Sequence, residues 1–571
     1  MGSGASSFPL SPEAMEALDS LPEGVKNELE SMGLQAIHEN ALSVETKEVL
    51  TSTLSETVVN ELRGLANPRK PRHPSIQQIQ QDTSISVLQR VEASLDAIEC
   101  HDTELRACVE VLRESAIAQA KAADERLSNG SPRRELDGCP LLVKANIDVA
   151  NTLSTAGTPA LKEWRPPSTA PVIQRLIDAG CIVVAKTNMP EMALGSHAWC
   201  KLHGPTLNVF NKNYTAGGSS MGTAVGIAAG YASIGVGSDT AGSLRGPAEL
   251  AGVVGFRPSK GVLPSEGVVP CDIALDTVGP MASSVKDCAL LYSVMSGGVE
   301  KYVPANLDAS ITIACPADWL EGTVNGQLEA IELAISAFEK KGVVVKRQGV
   351  DMKSLTEKPE GSKNYSFREQ GLHEYVESHK ETLTKSADDI LNASDSNPVL
   401  KDLFFKAAIN MQEKVNTDEY KTLKDEHDAY IQEMVYNRVS IFPISSIVKI
   451  HMFTTKCSQE DKYRKYFEDN GVEFILTPVV AGIPKKVDLS SCDDFYGADF
   501  MKTLTSHMEL YKPLKLNDLC FPSIAMPTKA RLRDDIEGNP LPAGFLLWGK
   551  MWEDKRLLEV ALALEEALAD L

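Results

Sequence analysis

The stretch from Gly217 to Gly261, GGSSMGTAVGIAAGYASIGVGSDTAGSLRGPAELAGVVGFRPSKG, constrains this chain more than any other. Glycine is unfavourable inside ordinary helices and strands, so such density marks turns and places where backbones approach closely. Met221 to Gly230 carries Gly222, Gly226 and Gly230 in register, which on a helix makes a smooth face for tight packing. Ser233 to Gly237 reads as a short buried strand, and Asp239 to Arg245 (DTAGSLR) as the tight turn that leaves it. A serine on such a turn sits among N–H groups that can converge as an oxyanion site requires.

A serine hydroxyl needs a base, and no histidine lies between His203 and His373. The candidate is Lys144, which follows the apolar run Leu141-Leu142-Val143 and is carried by that strand into low dielectric. Lowering a lysine pKa from about 10.4 to near 7 takes roughly 4 to 5 kcal/mol of differential destabilisation, an amount that burial can supply.

Three strings in order now carry a resemblance. PLLVK (140–144), GGSSMG (217–222) and DTAGSLRGP (239–247) are similar to the PxxVK strand and the GGSS-G and D-x-G-S-[IL]-R-x-P turns of the amidase signature family. The likeness runs from about 136 to 298, with a weaker match over 540–568. It implies an α/β fold with a large central twisted mixed sheet flanked by helices. It also implies a Ser-Ser-Lys triad, with Lys144 as base, Ser219 as bridging serine after a cis peptide bond, and Ser243 as nucleophile. The oxyanion donors would be the main-chain N–H groups of Thr240, Ala241, Gly242 and Ser243. Ser220 would steady the loop, and Asp239 and Arg245 would pair to hold the turn. Ala241 departs from the family, which usually has glycine there; if the position needs positive φ, alanine is strained by about 1 to 2 kcal/mol.

The activity implied is hydrolysis of a small carboxamide through an acyl-enzyme, with release of ammonia or an amine. Lys144-Ala145-Asn146 and the Asp276 to Met281 run resemble most the indoleacetamide and mandelamide hydrolase branch. The alternatives are a fatty acid amide hydrolase-like enzyme, an inactive scaffold on the same fold, and a glutaminase-type amidotransferase subunit. The expected partner is a small-molecule amide, with a homodimer left open; no metal or cofactor is implied.

With 571 residues there is room for one large domain plus additions. Residues 1–72 read as a helical extension and 73–571 as the amidase domain, with a variable helical region at about 365–437. There Phe404, Phe405, Ile409, Met411 and Tyr430 are candidates for an apolar acyl pocket. The net charge of −21 argues against a nucleic-acid partner, which needs a basic surface. Eleven cysteines with no CxxC pair fit reduced thiols in a cytoplasmic protein. No uninterrupted apolar run is long enough to span a bilayer. The opening MGSGAS fits a myristoylation pattern through Gly2 and Ser6, but no basic cluster follows to make a single acyl chain hold.

Elsewhere the periodicity predicts helices at Ser84–Glu99, Ala107–Arg126, Pro171–Gly180, Gln327–Lys341 and Lys555–Leu568. Strands are expected at Cys181–Ala185, Gly342–Arg347, Phe474–Pro478 and Leu541–Trp548, and a charged insert at Lys529–Asp535. Thr187 and Asn188 are expected to hydrogen-bond their turn. Gly218–Gly222 matches the G-x-S-x-G elbow, but the polar residues before it are no buried strand. There is no phosphate-binding GxxxxGK[ST], and His373-Glu374 lacks the second histidine of a zinc motif.

Overall fold

The computed structural model describes residues 74–349 (apart from 132–133, 196–198, 274 and 299–300), 368–391, 393, 464–480, 482, 484, 486–487 and 521–571 (apart from 534–535). The extension over 1–72, with Gly2, and the pocket candidates Phe404, Phe405, Ile409, Met411 and Tyr430 lie outside the described residues.

The strands are β1 (Cys108–Val111), β2 (Pro140–Lys144), β3 (Ile182–Thr187), β4 (Ile234–Asp239), β5 (Val254–Arg257), β6 (Thr277–Ala282), β7 (Thr312–Ala314), β8 (Val344–Lys346), β9 (Phe474–Thr477), β10 (Ser523–Leu532) and β11 (Leu541–Trp548). They form one 11-stranded sheet in the order β1-β3-β2-β4-β6-β5-β10-β11-β9-β7-β8. β2 pairs in parallel with both β3 and β4, while β4, β6, β5, β10 and β11 pair antiparallel in succession, so the sheet is mixed as the resemblance implied.

The helices are α1 (Ile76–Gln81), α2 (Val87–Leu105), α3 (Arg113–Ser128), α4 (Pro171–Asp178), α5 (Met221–Ala228), α6 (Arg245–Leu250), α7 (Val285–Met295), α8 (Asn325–Lys340), α9 (Arg368–Ser378), α10 (Ala387–Leu391) and α11 (Asp554–Ala569). Alternate strand residues face opposite sides of a sheet, and here they sort into two hydrophobic layers. Leu141, Val143, Val236, Phe256, Leu476, Ile524 and Phe545 pack with apolar residues of α4, α7, α8 and α11. Leu142, Val184, Ile475, Ala525 and Leu546 pack with those of α2, α3 and α5. Lys144 has the parity of Leu142, which directs it toward the α5 side of the sheet.

Two expectations are corrected. Cys108–Val111, read as the start of a helix from Ala107 to Arg126, is edge strand β1, antiparallel to β3, and the helix begins only at Arg113. The β-branched Val109 and Val111 fit a pleated edge better than a helical turn, and pairing with the apolar β3 decides it. Lys529 to Leu532, read as part of a charged insert, continues β10 against β11, past a register irregularity between Pro527 and Arg531. Charged side chains on such a stretch suit its partly exposed face.

Candidate active site

Ser219 and Ser220 end the loop that leads into α5, a helix buried on every face. A Cβ at Gly222 would lie 2.3 Å from Ala107 O, and one at Gly237 of β4 would lie 2.6 Å from Ser220 Oγ, so the glycines let helix and strands approach closely. This contact brings three segments far apart in sequence to one point. Lys144 Nζ donates to Ser219 Oγ at 2.7 Å, and the Gly218–Ser219 peptide bond is cis. Ser220 Oγ donates to Ser238 O at 3.1 Å, and the Ser220 N–H donates to Ser243 O at 3.0 Å. Ser219 and the Ser243 turn are therefore neighbours, and Ser243 itself is partly exposed.

Lys144 is fully buried. Besides Ser219 it donates to Ser238 Oγ at 2.9 Å and toward Ser238 O at 3.4 Å, so its hydrogen-bond partners are neutral oxygens and include no carboxylate. Burial lowers its pKa from the ordinary 10.5 to about 7, against smaller upward pulls from Cys271, Asp239 and Asp276.

Asp239 closes the turn. Burial pushes its carboxyl pKa up, but Arg245 and Arg257 outweigh this and hold it well below the usual carboxylate range. Arg245 binds it bidentately, Nε to Oδ2 and Nη2 to Oδ1, both at 2.9 Å, and Arg257 Nη1 adds a third contact at 2.9 Å. Arg245 also lies over the Trp548 ring, 5.1 Å from its centroid, and donates to Ser523 Oγ at 3.1 Å. The pairing of Asp239 with Arg245 thus takes the form expected for a turn clamp. Removing one member of a buried charged set leaves the others uncompensated. Asp239→Asn is accordingly expected to cost about 3–5 kcal/mol of stability, read as a lowered urea midpoint at unchanged slope.

The four expected oxyanion donors are not equivalent. The Gly242 N–H donates to Asp239 Oδ1 at 2.8 Å, which takes it out of the set. Among the described residues the N–H groups of Thr240, Ala241 and Ser243 meet no protein acceptor. The positive φ of the turn, 110°, falls on Gly242, while Ala241 has no left-handed φ, so the alanine is not strained. Of Thr187 and Asn188, expected to hydrogen-bond their turn, only Asn188 does so, its Oδ1 accepting from the Met189 N–H at 2.8 Å; Thr187 Oγ1 lies 2.7 Å from Thr223 Oγ1, and Asn188 Nδ2 donates to Arg106 O at 3.0 Å and Gly204 O at 3.1 Å.

Sequence reasoning missed Ser238 and Arg257, and it singled out the run that starts at Asp276 without giving that carboxylate a role. Ser238 Oγ receives the lysine and also Asn146 Nδ2 at 3.1 Å. Asp276 accepts from Thr240 Oγ1 and from the Cys271 and Asp272 N–H groups, tying the loop over 267–276 to the turn. Ser238 carried a signal in standing directly before Asp239 at the end of a buried strand. Arg257 had none, because only the β5–β6 pairing brings it back to the turn.

The comparisons with known proteins decide the family. The family model described as Amidase matches residues 89–558. The chain belongs to the amidase signature family. A segment of it is 37% identical over 276 residues to a glutamyl-tRNA(Gln) amidotransferase subunit from Anaeromyxobacter dehalogenans (strain 2CP-C), covering 46% of this chain and 56% of that protein. Another is 37% identical over 269 residues to the mandelamide hydrolase of Pseudomonas putida, covering 46% of the chain and 52% of that protein. The chain thus spans about half the length of these curated relatives. The solved native peptide amidase from Stenotrophomonas maltophilia shares the fold with a TM-score of 0.61 at 22% identity, over 88% of this amidase-family chain and 98% of that one. No helix of the described residues is long and apolar enough to cross a membrane.

Proposed function

We propose that this amidase-family protein hydrolyses the C–N bond of a small carboxamide through an acyl-enzyme. The observation that carries the reading is a fully buried lysine bonded only to neutral oxygens, with a serine hydroxyl at 2.7 Å. A buried ammonium without a carboxylate partner loses its proton readily, and the resulting amine can accept one. Asp239 does not reverse this, since Arg245 and Arg257 both neutralise it.

In the proposed course Ser243 attacks the amide carbonyl and its proton passes through Ser219 to neutral Lys144. The developing oxyanion is met by the N–H groups of Thr240, Ala241 and Ser243, each such donor supplying about 3 kcal/mol. The same relay returns the proton to the departing amine, and water then hydrolyses the acyl-enzyme. Because the base must be neutral, kcat/KM is expected to rise about tenfold per pH unit below about pH 7 and to stop rising once Lys144 is neutral. A pH–rate profile already flat at pH 6 would remove Lys144 from that role.

The decisive test offers an amide panel (mandelamide, indoleacetamide, an aliphatic amide and glutamine), with the N-methylamide of each acyl group beside its primary amide, and hydroxylamine as competing acceptor. An acyl-enzyme predicts hydroxamate in a constant ratio to acid for substrates that share an acyl group. The amidotransferase relatives favour a second reading, in which glutamine is the ammonia donor for a partner-bound acceptor. Turnover of glutamine with no turnover of the neutral amides would select it.

A further inference from the structure

Outside this site the chain holds a second buried polar cluster that the reaction does not use. Its centre is Asp148, in the loop just after Lys144-Ala145-Asn146-Ile147. Tyr375 of α9 points its hydroxyl at both carboxylate oxygens, at 3.0 and 3.2 Å, while the same oxygen accepts from Trp164 Nε1 at 2.8 Å. His379, directly after α9, lies with Nε2 3.2 Å from Asp148 Oδ2. Its Nδ1 is 2.9 Å from Tyr375 O, a group that can only accept. The doubly protonated ring therefore satisfies both neighbours, whereas the neutral ring has one N–H for two acceptors.

The cluster joins α9 and α10 to the lysine strand. Leu372 and Tyr375 of α9, Ile390 and Leu391 of α10, and Leu383 between them belong to one buried apolar cluster with Ala145, Met189, Val269 and Cys271. The loop they cover is itself tied to the site, since the Asp148 N–H donates to Gly267 O at 2.8 Å and the Val269 N–H to Asn146 O at 2.8 Å. Asn146 in turn holds Ser238, the second hydroxyl on Lys144.

We propose that α9 and α10 form a pH-sensitive strap over the loop that follows the Lys144 strand, locked by His379 and Tyr375 on Asp148, and that His379 is a positioning residue for the lysine. The charges facing the lock come from every side. Asp148 faces His379 from the loop, and Tyr375 and Ser378 face it from α9, Ser378 Oγ lying 2.9 Å from Nδ1. From β3, buried Lys186 faces Asp148 and donates to Ile147 O; Glu110 on β1 acts on Lys186 and pairs with Arg165 at 2.7 Å. Lys385, before α10, ties the strap to Ala160 O at 2.6 Å. The hydrogen bond to Asp148 raises the His379 pKa above its ordinary 6.5, against burial. A raised histidine pKa stabilises the docked form below about pH 6.5, and this contribution is lost as pH rises through the folded value.

Hydrogen exchange of the full-length protein at about pH 6 and pH 9, corrected for intrinsic rates, tests the lock directly. Protection over 368–391 is expected to fall at least about tenfold at the higher pH in the wild type, and to change much less in His379→Gln, where of the groups facing Asp148 only Lys186, lowered by burial to about 8, still titrates in this window. Tyr375→Phe keeps the imidazole and should lower protection at both pH values while retaining the pH dependence, so a folding defect in one variant does not decide the matter. Equal wild-type protection at both pH values, or an unchanged pH dependence in His379→Gln, overturns the proposal. The kinetic arm rests on the amidase reading: kcat/KM should fall again on the alkaline side in the wild type and not in His379→Gln. Absence of turnover with pH-dependent exchange would sink the amidase reading alone; flat exchange with normal turnover would sink the strap alone.

Discussion

Replacing Ser243 with alanine is expected to lower kcat/KM for amide hydrolysis by on the order of 10⁴-fold or more while leaving the unfolding free energy in urea within about 0.5 kcal/mol of wild type. The expectation of unchanged stability has a structural basis. Ser243 is partly exposed, and what it contributes to the fold is its main chain, whose carbonyl accepts from the Ser220 N–H at 3.0 Å. Alanine keeps that bond and the turn held by Asp239. Only the side-chain hydroxyl is lost, and with it the nucleophile of the proposed mechanism. In the proposed mechanism Lys144, Ser219 and Ser243 act as one relay, so the triple alanine variant should be about as inactive as Ser243→Ala alone rather than the product of three losses. Steady-state assay of both variants on the best amide of the panel checks this, and appreciable turnover by Ser243→Ala would end the proposed mechanism.

Lys144→Met carries the second large effect, and it acts on activity and stability in opposite directions. Turnover should fall by on the order of 10⁴-fold, since no group remains to take the proton. Stability near pH 7 should nevertheless rise. The lysine titrates at about 7 when folded and 10.5 when free, a gap worth roughly 4 to 5 kcal/mol against the folded wild type at neutral pH. Methionine removes that penalty but leaves Ser219 and Ser238 without their donor, at about 1 kcal/mol each. A net gain of about 2 kcal/mol follows.

The pH dependence fixes the sign of the cause. Between about pH 7 and 10.5 the unfolded wild-type chain binds a proton that the folded chain does not, so wild-type stability climbs with pH across that window. The advantage of Lys144→Met should shrink over the same range, vanish near about pH 9 and be reversed at pH 10. Urea midpoints of the two proteins at pH 7 and pH 10 read this directly, and a constant difference would mean that Lys144 is not held uncharged by burial.

Much of the centre of the molecule was legible because its constraints are local. A glycine at 222 or 237 announces close approach wherever the chain goes, and an apolar run ending in lysine at 144 announces burial. What stayed hidden depends on pairing between distant segments. Arg257 reaches Asp239 only because β5 turns back beside β6, and Val109 joins a strand because β3 offers an edge. The Gly242 N–H looked equivalent to its neighbours until the carboxylate of Asp239 was found 2.8 Å away. His379 and Tyr375 were beyond reach for the same reason, since their partner Asp148 lies more than two hundred positions earlier.

The order of strands also governs when the molecule can finish assembling. β5 finds its neighbour in β10, and Arg245 meets Ser523, a residue 278 positions downstream. A nascent chain emerging from the ribosome therefore exposes an open sheet margin and a half-braced serine turn until β10 and β11 have been released, and contacts of such long sequence separation form slowly. Translation must pass both strands before the serine turn is braced, so the growing polypeptide carries no finished site up to that point.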